Sequence, residues 1–135
     1  MNKRKIEELI PFALDEISNQ FTEEIPKEYK GYIANFGASI IQSGLLSTVA
    51  FFQNNNSGSN QDRRKITEMI LNIIYKNENY EKSQKENNLL DYIISNIGRK
   101  KIIKEQVINV TIAVKLAMGT FKFSEKVDTQ EGDNQ

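Results

Sequence analysis

Lys3-Arg4-Lys5, Arg63-Arg64-Lys65 and Arg99-Lys100-Lys101 each set three cations side by side, each at or near the start of a predicted helix. That placement is locally unfavourable, because the helix macrodipole prefers acids at an N-terminus and cations at a C-terminus. A phosphate backbone would explain it, since a helix start offers free backbone N–H groups beside Lys and Arg side chains. Lys27 and Lys30, flanking Tyr29, form a fourth and smaller basic and aromatic group. The chemistry is neutralisation of phosphate charge. Arg63, Arg64, Lys65, Arg99, Lys100 and Lys101 are its candidates, with Lys27 and Lys30 in support, and nothing in the pattern reads bases. The plainer alternative is ordinary solubilising charge.

Other chemistry has little to work with. The chain contains no cysteine and no histidine, which removes disulfides, thiolate or imidazole metal sites, and Ser-His-Asp or Cys-His catalysis. Glu7-Glu8, Asp15-Glu16 and Glu23-Glu24 are adjacent pairs, and neighbours on a helix point about 100° apart, so they cannot converge on one metal or reacting atom unless another element brings a partner. They read as solvated helix faces, and a carboxylate-based metal hydrolase is only a minor alternative. Gly37, Gly44 and Gly58 form no phosphate-loop pattern. No catalytic residue, metal site or cofactor is expected.

The elements that must carry the cations follow from apolar spacing. Ile6, Ile10, Ala13 and Ile17 step by helical intervals, and Pro11 predicts either a kink or a regular helix beginning there. A second helix starts at Pro26 and buries Tyr29, Ile33, Phe36 and Ile40. The step from Ile40 to Leu45 breaks the rhythm, so Gly44 is read as a C-cap with positive φ between two helices rather than as a flaw within one. Asn54–Asn60 reads as a loop, and Ser59 with Asp62 as a capping box. Ile66, Met69, Ile70, Ile73 and Ile74 form the cleanest apolar face. The polar run Lys76–Asn88 reads as loop or frayed helix end. Leu90, Ile93, Ile94 and Ile97 predict a short helix capped by Gly98. Ile103, Val107, Val110, Val114, Ala117 and Phe121 outweigh a competing strand-like alternation. The fold class is all-α: a single-domain helical bundle of five to six helices over 1–123, followed by a flexible, disordered acidic tail over 124–135.

Net charge is zero, but its distribution is uneven. The tail has four acids against Lys126, which leaves the rest of the chain at +3. Glu7 and Glu8 interrupt any leader-like apolar run, and no stretch is long enough to span a membrane. A soluble, cytoplasmic protein is expected.

Tyr29, Phe36, Ser43-Gly44-Leu45 and Ala50-Phe51-Phe52 compose the pattern Y-x6-F-x6-S-G-L-L-x3-A-F-F. It resembles the central signature of the Cmr small-subunit family, the small helical proteins of type III-B CRISPR RNA-guided effector complexes. Ile6–Ile17, IEELIPFALDEI, resembles that family's first helix. The late Trp-Leu pair common in the family has no counterpart, since the chain lacks tryptophan. The sister small subunit of type III-A complexes is the nearest competing resemblance. What the resemblance implies is an all-α, non-catalytic subunit whose copies stack along the complex beside its other subunits. It would contact guide RNA and target RNA through phosphates, while RNA pairing reads sequence. The alternative from a different class is a helical protein-interaction adaptor or dimer with no nucleic-acid role.

Overall fold

The computed structural model describes residues 1–54, 61–79 and 86–125. Six α-helices occur among them: α1 (Lys3–Gln20), α2 (Glu28–Ser43), α3 (Leu45–Phe52), α4 (Arg64–Glu78), α5 (Leu89–Ser95) and α6 (Lys100–Met118). There is no strand among these residues, only an isolated bridge between Ile25 and Phe123. The all-α bundle is therefore as the apolar spacing predicts. The acidic segment 126–135 and the residues 55–60 of the expected loop, Ser59 included, lie outside the described residues.

Helix α6 is the central element and packs against α1, α2 and α4. Asn2 N–H donates to Asn109 at 3.1 Å, and the segment after α1 meets the segment after α6, so the two helices run in the same sense. Lys65 reaches Gln20 and Lys76 reaches Asp15, so α4 runs the other way along α1. Gly37 of α2 faces Thr111 of α6, whose Cγ2 would lie 3.5 Å from an added Cβ, an ordinary contact. Ile103, Val107, Val110, Val114 and Ala117 are buried against these neighbours, as are Tyr29, Ile33, Phe36 and Ile40.

Gly44 has φ 96° and ψ 161°, a conformation open to glycine almost alone. Its N–H closes α2 on the Ile40 carbonyl, and its own carbonyl receives Thr48 N–H to open α3. One residue thus ends one helix and begins the next.

Five local readings are changed or sharpened. Asn2 caps α1 through Lys5 N–H, and the helix runs without interruption from Lys3 through Pro11. Helix α5 buries Leu89, Tyr92 and Ile93, whereas Ile94 and Ile97 are exposed. The Tyr75 ring meets Tyr92 edge-on at 5.9 Å, and Tyr92 donates to Gln106, which fixes the rotation of the helix. Gly98 lies within a 3-10 turn over Ile97–Arg99, without positive φ, so Asn96 rather than Gly98 caps α5. Ser124, assigned to the tail by composition, donates its N–H to the Ile25 carbonyl.

Glu16 is the fifth. Its carboxylate is 3% exposed and accepts from Gln20, Asn72 and Lys76. Only Asp15 of that pair belongs to a solvated face. Partial burial works against the Lys76 charge, but hydrogen bonds to Asp15 and Glu16 outweigh it and hold the ammonium above the ordinary lysine value.

Candidate nucleic-acid interface

The sequence-predicted cations divide into two groups at opposite ends of α6. Lys27 and Lys30 stand at the start of α2, beside the residues that follow α6. Tyr29 and Tyr32 bring that end to the start of α4. The Tyr29 hydroxyl donates to the Asp62 carbonyl at 3.0 Å, and Gln61 N–H donates to the Tyr32 hydroxyl at 3.2 Å. Lys27, Lys30, Arg63, Arg64 and Lys65 therefore share one end. Arg99, Lys100 and Lys101 lie at the other, about 28 Å away by the length of α6. There Lys5 and Arg99 line one cleft of about 320 Å³ together with Leu9, Ile74 and Val110.

Several backbone N–H groups at the helix starts are already engaged. Asp62 accepts Arg64 N–H on its carboxylate and Lys65 N–H on its carbonyl, and Ile66 N–H returns to Arg63. At α1, Asn2 takes Lys5 and Ile6 in the same way. At α2, Tyr29 and Lys30 bond back to Pro26 and Lys27. At α4 the first three helix-start donors are thus all taken within the protein, so an anion there meets side chains.

Those side chains differ sharply in what holds them. Asp62 clasps Arg64 with both oxygens, at 2.9 Å to Nε and 2.9 Å to Nη2. That hydrogen bonding, above all, lowers the Asp62 carboxyl below its ordinary value. Lys65 donates to Gln20 and stands 5.6 Å from the Phe21 ring centre. Lys30 lies 6.0 Å over Phe123. Arg63 lies over two rings, Phe51 at 4.9 Å and Tyr32 at 5.4 Å, and its buried Nη1 has no hydrogen-bond partner among the described residues. Among the described residues, none of Lys27, Lys30, Arg63, Lys65, Arg99, Lys100 or Lys101 forms an ion pair. Of the eight candidates, only Arg64 is internally neutralised.

Phe36, Phe52 and Tyr75 belong to the core. Phe21, Tyr32 and Phe123, partly buried against it, and exposed Phe51 carry the cations. Their partners are far away in sequence, so only the Lys27-Tyr29-Lys30 grouping hinted at the arrangement. Burial pushes the Tyr29 phenol up to about 12, with the nearby Asp62 charge adding to the effect.

No described helix is long and apolar enough to cross a membrane. No group of three or more acids, the only ligands this composition offers, converges on a metal position among the described residues. The family model described as CRISPR-associated protein (Cas_Cmr5) matches residues 6–110. Neither curated proteins nor solved structures give a match.

Proposed function

This chain belongs to the CRISPR-associated Cmr5 family, and from that premise we propose that it is the non-catalytic small subunit of a type III-B effector. Association with other Cmr subunits follows from the family. In this reading copies stack along a cytoplasmic ribonucleoprotein and touch guide or target RNA through phosphates. The observation that carries the RNA contact is the α2–α4 end. Lys27, Lys30, Arg63 and Lys65 gather there without an ion pair among the described residues, which leaves their charge for an outside anion.

RNA titration at graded salt tests the reading. The isolated protein should bind single-stranded RNA weakly, with affinity falling steeply as salt rises. It should leave the RNA uncut. A salt slope unchanged after replacing Arg63, Lys65 and Lys30 with alanine overturns the assignment of this end.

The adaptor reading draws on exposed Ile41, Phe51, Ile94, Ile97, Ile102 and Leu116. Absence of RNA binding at low salt, both alone and in the purified assembly, would favour it.

A further inference from the structure

Phe51 is 51% exposed at the end of α3, on a face otherwise marked by cations. A lone exposed phenylalanine calls for no explanation. This one is held by Arg63, whose guanidinium lies 4.9 Å from the ring centre and 5.4 Å from that of Tyr32. Tyr32 is itself fixed, edge-on to buried Tyr29 at 5.5 Å and accepting Gln61 N–H. Phe52 meets Phe51 at a steep angle and is buried against Phe36, which anchors the end of the helix. The ring is therefore positioned on a stack of fixed groups, with about half of its surface open.

An arginine in contact with two rings, with no carboxylate partner among the described residues, serves no charge balance among them. It leaves positive potential beside an open aromatic surface, the pairing that single-stranded nucleic acid uses: cations for its backbone and a ring for a base. A purely apolar partner would be ill served, since burying this Arg63 without an anion is costly.

We propose that Phe51 is the stacking seat for an unpaired nucleobase of bound RNA, with Arg63 as the positioning residue that holds the ring. The proposal rests on the RNA-binding reading above and adds a base contact to it. Any π-face suffices, so the seat has no sequence preference.

The test compares the full chain's binding of a single-stranded oligoadenylate with binding of the same sugar–phosphate chain carrying abasic residues. The wild type should prefer the oligoadenylate by roughly tenfold, in line with the usual worth of one base–aromatic stack. Phe51→Ala and Phe51→Leu should both abolish that preference while keeping abasic-chain affinity and its salt slope, and Phe51→Trp should retain it. Phe51→Leu keeps apolar bulk, so its loss of preference separates stacking from folding. Equal binding of both chains by the wild type, or a preference that survives Phe51→Leu, overturns the seat and leaves the phosphate reading standing. No binding of either chain at low salt overturns both.

Discussion

The Lys76 ammonium of α4 stands 3.2 Å from the Glu16 carboxylate of α1, an acid almost wholly removed from solvent. Asn72 and Gln20 complete its shell, both at 2.9 Å. Glu16→Ala should destabilise the protein by about 1–3 kcal/mol, because those donors lose a buried acceptor. Lys76 keeps Asp15 at 2.8 Å, which limits the loss. Urea denaturation of the variant checks it, and Glu16→Gln should retain part of the stability.

Gly44 and Gly31 should respond to alanine in opposite directions. Neither has a neighbour within 4 Å of a built Cβ, so packing cancels from the comparison. Gly44 has positive φ, and Gly44→Ala should lose about 1–3 kcal/mol. Gly31 lies in the interior of α2, and Gly31→Ala should gain about 0.5–1 kcal/mol. Thermal melts of the two variants should move apart from the parent on either side.

Thr48 is buried, and its hydroxyl has no hydrogen-bond partner. Thr48→Val removes that oxygen at nearly constant shape, so stability should hold or rise by up to about 1 kcal/mol. Thr111, also buried, donates to the Val107 carbonyl at 2.7 Å, and Thr111→Val should be destabilising instead. Paired denaturation curves distinguish the two threonines.

Stability should fall at high pH. Tyr29 ionises near 10 when unfolded and near 12 when folded. Its contribution is therefore complete below pH 10 and is lost as the pH climbs towards 12. That rise corresponds to about 2–3 kcal/mol. Lys76 acts in the same direction: raised above 10.5 in the fold, it supports the native state below that pH and ceases to do so above the folded value. Unfolding free energies followed through this window should decline, and Tyr29→Phe should flatten the decline.

Asp62 restrains Arg64, so Arg64→Ala alone should alter RNA binding little. Asp62→Asn should release the guanidinium and steepen the salt dependence by about 0.7 for each further phosphate neutralised on single-stranded RNA. Filter binding across a salt series measures that slope.

Much of the fold is written in local spacing. Ile66, Met69, Ile70, Ile73 and Ile74 identify α4 without help, and the five-residue step from Ile40 to Leu45 betrays the joint at Gly44. Helix α5 is less legible because two of its faces are almost equally apolar over seven residues. Contact with Tyr75 and Gln106 decides between them, and neither is visible locally. Glu16 is misread for a similar reason: a charged side chain implies solvent until Asn72 and Lys76 arrive from another helix. The basic clusters are plain in sequence, but their state is not. Arg64 and Arg63 are neighbours, yet one is neutralised by Asp62 and the other rests on two rings from α2 and α3.

The pairing of Ile25 with Phe123 has a practical side. Ile25 N–H donates to Lys122 and Ser124 N–H donates back to Ile25, so the backbone leaves α6 tied down beside Lys27 and Lys30. A fluorophore attached at Ser124 would therefore ride next to the α2–α4 end, whereas one near Asn2 would sit alongside Asn109, towards the other end. The two attachment points give the molecule a built-in compass. Quenching by added RNA at one dye and not the other would report which way the bundle points along a bound strand.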